Sequence, residues 1–215
     1  MKGDVTRIAL LGVASPRVTL AATIAGRGEV FWHYLVAGIE HLAIGYDHIA
    51  FLIAVILWGR RLWPLVGVVT AFTLAHSVTL SLAVLGVLTP PARTVEALIA
   101  LSIVYVAAEN FFVRDLRRRW IVTFVFGLVH GFGFAGVLRE YGIPGDALVP
   151  ALAAFNIGVE LGQIAIVLLA LAALRAIESS VPALRPAPSA RLVYPISAAV
   201  LMLGTYWAIE RIFFA

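Results

Sequence analysis

The residues able to do chemistry in this chain sit where charge is most costly. The five histidines, His33, His41, His48, His76 and His130, all fall inside long apolar runs, and so do Glu40, Asp47, Glu96, Glu109 and Glu160. An ionisable group at mid-bilayer costs a few kcal/mol, so such groups face a bundle interior and pair there or bind something. Imidazole and carboxylate together suit borderline divalent metals such as nickel, cobalt and zinc. Within the first run, His33, Glu40, His41, Asp47 and His48 occupy one arc of roughly 120° on a helix. On a straight helix His41 and His48 stand two turns apart, about 10 Å, too far to share one ion. Gly45 lies between them and offers a place for the helix to kink or unwind, as discontinuous transporter helices do around ions.

The other runs supply further polar groups. Thr70, Thr73 and Ser77 form a hydroxyl stripe with His76 beside it, and Ser102, Tyr105 and Glu109 share a face with Asn110 next to it. Gly127 and Gly131 make a small-xxx-small pair that would press His130 against a partner helix. Asn156, Glu160 and Gln163 line one face of a later run, and Gly158 and Gly162 another. The metal-ligand candidates are therefore His41, Asp47, His48, His76 and His130. Glu109, Glu160, His33 and Glu40 are further ligands or partners that orient a ligating imidazole. A second chemistry uses the same residues. Three His around zinc with an open position for water would make an intramembrane hydrolase, with Asp47 or Glu109 as base and Ser77 as polar helper. Its location points to a lipid-like amide or ester. Bis-histidine haem ligation and a purely structural polar seam are the remaining readings.

The elements that must position these groups are helices in lipid. Of 215 residues, 62% are hydrophobic and 13% charged, with mean hydropathy +1.00. A soluble domain carries about a quarter of its residues as charges. The apolar runs are long and unbroken, so they read as transmembrane helices of roughly 20 residues, not as the short alternating strands of a barrel. The expected fold is all-α, a polytopic integral membrane bundle of about six spans at 31–58, 62–88, 92–113, 120–138, 148–174 and 192–214. Residues 1–30 read as a peripheral or targeting segment, with Lys2, Arg7 and Arg17 around a short apolar stretch, and 31–215 as one transmembrane domain. Cysteine is absent, which removes disulfides and thiolate sites.

Arg60, Arg61, Arg114, Arg117, Arg118, Arg119, Arg175, Arg185 and Arg191 crowd alternate connections, while the opposite ones offer Arg93 and Arg139. The positive-inside rule puts the basic set in the cytoplasm and both termini outside, in an inner (cytoplasmic) membrane of the bacterial type. The excess of 16 Lys and Arg over 12 Asp and Glu is thus topological, and it argues for anionic lipid headgroups, not nucleic acid, as neighbours.

Four motifs in order, between Gly38 and Gln163, resemble one family. They are His41-x3-Gly45-x-Asp47-His48, Phe72-Thr73-Leu74-Ala75-His76-Ser77, His130-Gly131-Phe132-Gly133-Phe134-Ala135, and Phe155-Asn156-Ile157-Gly158-Val159-Glu160-Leu161-Gly162-Gln163. Together they look like the HupE/UreJ family, whose better-known members are regarded as nickel or cobalt permeases serving hydrogenase and urease maturation. The resemblance implies that His41, Asp47 and His48 belong to the metal-handling motif and His130 to a second one. It also implies a metal ion as cargo, with a homo-oligomer or metalloenzyme-maturation proteins as further partners. The permease branch carries F-H-G-x-A/V-H-G-x-E as its second motif. Here Phe126 stands at the position of its first His and Gly133 at that of its Glu, so this chain resembles a divergent branch.

Overall fold

The apolar runs fold as helices, and the breaks between them follow local chemistry. A computed structural model describes residues 27–115, 117–134, 136, 147–184 and 188–214. Its helices are α1 (Arg27–Ile44), α2 (Tyr46–Ile56), α3 (Leu62–Val84), α4 (Ala92–Glu109), α5 (Arg119–His130), α6 (Leu148–Ser180) and α7 (Ala190–Phe213), with one 3₁₀ turn at Pro182–Leu184. No strand occurs among the described residues, so the chain is all-α. The expected N-terminal segment lies almost wholly outside the described residues, as do Arg139 and Arg185.

α3 ends in a Schellman motif. Gly86 adopts φ +72°, its N–H bonds to Ala83 O at 3.1 Å, and the Val87 N–H bonds to Leu82 O at 2.9 Å. A left-handed residue at that position is what glycine permits. Pro91 caps the start of α4, where a missing N–H costs no helical bond.

Each of the six expected runs holds a helical element, but the lengths differ from the expectation. α3, α6 and α7 are long and apolar enough to cross a membrane, and the α1–α2 pair makes a fourth candidate, bent by 73°. α5 has 12 residues and α4 has 18, against the roughly 20 that a span needs. α4 also carries Arg93, Glu96 and Glu109. Six full spans are therefore not reached by the described helices.

Glycines set the closest helix contacts. A Cβ on Gly38 would run into the Phe155 carbonyl, and one on Gly158 into the Leu35 carbonyl, so α1 and α6 meet backbone to backbone. Gly127 and Gly131 do the same for α5 against Phe72 and His76 of α3, as the small-xxx-small spacing predicts. α2 runs through the middle. Its Phe51, Val55 and Ile56 pack with Leu42, Phe72, Ile103, Val167 and Val200 in the main apolar core.

The C-terminal end of α2 is fastened by a buried polar knot. Arg119 donates to Val55 O at 2.9 Å, Ala54 O at 3.3 Å and Asn110 Oδ1 at 3.0 Å, and pairs with Glu109 at 3.1 Å. Asn110 Nδ2 donates to Ala54 O, and Trp58 Nε1 to Asn110 O, both at 2.9 Å. Two last-turn carbonyls of α2, among those left without a partner within a helix, are thereby engaged. Arg60 pairs with Glu178 at 2.7 Å, so the connections after α2, α4 and α6 gather at one end of the bundle. That end carries the described members of the basic set.

Candidate metal centre

The α1–α2 break makes the site. Gly45 sits between the two helices with φ −73° and ψ 86°, and its N–H still bonds to His41 O at 2.9 Å. A Cβ there would lie 2.8 Å from both His41 O and His48 Nδ1, so the position suits a residue without one. Instead of the two-turn separation of a straight helix, the His41 and His48 rings approach to 4.7 Å between centroids. His76 comes in from α3, its ring 6.3 Å from His41 and 6.5 Å from His48. One ring nitrogen from each of His41, His48 and His76 lies within 4.8 Å of the other two. The expectation that Gly45 could unwind the helix holds, and it is what unites the two motif histidines.

Hydrogen bonds around the cluster decide which nitrogens are free. Asn156 Nδ2 donates to Leu152 O at 2.8 Å, so its Oδ1 faces His76 Nδ1 at 3.3 Å and must accept from it. His76 Nε2 then carries a lone pair, and it is buried with no partner. The same logic applies one helix away. Ser102 Oγ donates its one hydrogen to Ile99 O at 2.6 Å, so it accepts from His130 Nε2 at 3.0 Å. His130 Nδ1 is left as an unpartnered lone pair, with its ring 5.1 Å from that of His48. His41 Nε2 and both nitrogens of His48 are also buried without partners. Five orphaned imidazole nitrogens in one interior are far outside the rule that buried polar atoms are hydrogen-bonded. Nitrogen lone pairs converging in a dry setting are what a borderline divalent cation binds. Phe72, Phe134 and Phe155 surround the rings, with Phe134 at 4.1 Å and Phe155 at 5.5 Å from His41.

The remaining candidates are held elsewhere. Asp47 follows the break and pairs with Arg211 of α7 at 2.9 Å. Glu109 belongs to the Arg119 knot. Glu160 accepts from Thr70, and its Oε2 is buried without a partner. His33 and Glu40 are exposed on α1, the His33 ring edge-on to Tyr34. Ser77 Oγ donates to Thr73 O at 2.6 Å. Asp47, Glu109 and Ser77, the groups a hydrolase would need as base and helper, are thus all engaged away from the cluster. At the two positions where the permease branch has ligands, Phe126 packs on Tyr105 and Phe51, and Gly133 faces Ile99.

Sequence reasoning grouped Asn156 and Ser102 with polar walls but did not see that each fixes a histidine tautomer. It also missed Arg119 and Arg211 as partners of Glu109 and Asp47. Asn156 carried a signal in its i, i+4, i+7 stripe with Glu160 and Gln163. Arg211 carried none: it closes the last apolar run, and nothing in the spacing links it to Asp47.

The family model described as HupE / UreJ protein matches residues 18–211, so the chain belongs to the HupE/UreJ family, which is associated with nickel and cobalt transport. With its apolar spanning helices it is an integral membrane protein. No curated protein and no solved structure matches it significantly.

Proposed function

We propose that this HupE/UreJ chain is a permease for a divalent transition metal, nickel, cobalt or zinc, and that His41, His48 and His76 take up the cargo inside the bilayer. One observation carries the reading: three imidazoles from α1, α2 and α3 present ring nitrogens within 4.8 Å of one another, and Asn156 directs the His76 lone pair away from its own hydrogen bond. His130 stands next to this set, with Ser102 holding its tautomer, and offers the next nitrogen along the path.

The donors favour exchange over storage. Nitrogens around one ion at bonds of ~2.1 Å lie at most ~4.2 Å apart and about 3.4 Å in a tetrahedron, a spacing that three nitrogens within 4.8 Å of one another can meet. A transporter needs a site that fills and empties, and neutral donors that bring no countercharge suit both. With the basic end in the cytoplasm, the cluster faces the outer half of the membrane. His76 stands eight residues before the end of α3 and Asn156 eight after the start of α6, about 12 Å from the opposite, less basic end.

The test is metal uptake by cells carrying the wild type or His76→Ala, with nickel, cobalt and zinc supplied singly. Uptake of at least one ion that falls tenfold or more in the variant, at equal protein in the membrane, is the expected result. Equal uptake in the two, or none above cells without the protein, would sink the permease reading.

A further inference from the structure

The ion pair between Asp47 and Arg211 joins the residue that precedes His48 to the last helix, and its position gives it a use. Asp47 lies in the first turn of α2, adjacent to His48, and Arg211 in the last turn of α7. Arg211 Nη2 donates to both Asp47 oxygens, at 3.1 and 2.9 Å, so the carboxylate that precedes His48 in the chain has both oxygens engaged by a guanidinium. Arg211 is itself held from α4: its Nη1 donates to Glu96 O at 3.2 Å, and its own carbonyl accepts from Arg93 Nε at 3.3 Å. The guanidinium also lies 5.8 Å from the centroid of the Trp207 ring. Because Arg211 sits in the closing turn of its helix, it reaches Asp47 from the membrane-surface side.

Charge gives the pair its consequence. His41, His48 and His76 ligate as neutral imidazoles, so an arriving divalent ion brings two positive charges into a low-dielectric interior where the ligands offer no countercharge. Burying an uncompensated ion is costly. Asp47, next to His48 in the chain, is a negative charge that Arg211 neutralises. The pair is also within reach of solvent and of an ion: the Asp47 and Arg211 side chains keep 24% and 18% of their exposure, whereas His76 is fully buried.

We propose that Arg211 is a resident surrogate cation, holding Asp47 while the path is empty, yielding it to the incoming metal ion, and reclaiming it to drive the ion onward. Arg211 thereby sets the affinity of the cluster and keeps it low enough to exchange. The proposal rests on the permease reading, and it names Arg211 as a positioning residue that acts through Asp47.

The experiment is equilibrium titration of the detergent-purified full chain with Ni²⁺ or Zn²⁺ alone, against a competing chelator. It compares wild type, Arg211→Gln, Arg211→Lys, Asp47→Asn and the Asp47→Asn/Arg211→Gln double variant, each checked for a cooperative melt. The expected result is binding at least tenfold tighter in R211Q, near wild type in R211K, and at least tenfold weaker in D47N. The R211Q gain disappears in the D47N background. A purely structural clamp would instead loosen binding in R211Q whether or not Asp47 is present. R211Q binding unchanged or weaker, or the same gain without Asp47, overturns the proposal. D47N at wild-type affinity overturns it even where R211Q fails to fold. A wild-type chain that binds neither ion fails the cluster reading itself, whereas wild-type binding lost in H76A and untouched by R211Q fails the surrogate alone.

Discussion

Replacing Asn156 by leucine removes an acceptor without opening a hole, and it tests the tautomer logic directly. Asn156 touches no metal ligand atom that would bind cargo; it accepts from His76 Nδ1 and is oriented by its own bond to Leu152 O. In the variant the His76 N–H is stranded in a buried site, at a cost of about 1–3 kcal/mol. The ring recovers part of that by moving its proton to Nε2, the nitrogen the cluster needs. Partners of this kind are worth 10–100-fold in metal affinity, or about 1.4–2.7 kcal/mol. Competition titration of purified N156L with nickel, cobalt and zinc should show that loss, while Asn156→Asp, which keeps an acceptor toward Nδ1, should bind at least as well as wild type. N156L within twofold of wild type would refute the assignment of Nε2 as donor. N156D losing as much as N156L would show that shape, not the acceptor, is what matters at this position.

Two further outcomes separate the site from its supports. Gly45→Ala adds a Cβ 2.8 Å from His41 O and His48 Nδ1 and favours a continuous helix by roughly 1 kcal/mol; metal affinity should fall about tenfold in the same titration, and an unchanged value would show that the break does not create the site. Arg119→Met strands Glu109 and Asn110 Oδ1 and frees the α2 carbonyls, a loss of about 3–5 kcal/mol that should lower the thermal midpoint strongly while the folded fraction keeps wild-type metal affinity. A variant with an unaltered midpoint would show that the knot does not fasten α2.

What could be read from sequence was set by what one helix decides alone. Period and composition placed His41, Asp47 and His48 on one face and marked Gly45 as the weak point, and the break lies there. The spacing of Gly127 and Gly131 announced a close approach, and it occurs against α3. Partner choice between helices leaves no periodic trace. The same arc that carries His48 carries Asp47, yet the bend turns His48 toward His76 and leaves Asp47 to Arg211, more than 160 residues away in sequence. Span length misled for a related reason. α4 and α5 are apolar enough to enter the bundle but short, and their polar ends are held by Arg119 and Arg211, contacts a hydropathy window cannot see.

The division of labour between neutral and charged groups bears on the proposed transport. Asp47 and Glu109 are each paired with an arginine, whereas each imidazole that converges keeps at least one nitrogen unpartnered. The two carboxylates named as a hydrolytic base are thus both engaged by guanidinium groups, and neither is free to take a proton from a metal-bound water. Neutral donors bring no countercharge of their own, and a cargo ion needs a site that fills and empties. An ion that enters three imidazoles gains their lone pairs and lacks countercharge until Asp47 is released to it. On the proposal, binding and release are then governed by one exchangeable ion pair, with no need to dismantle the cluster itself.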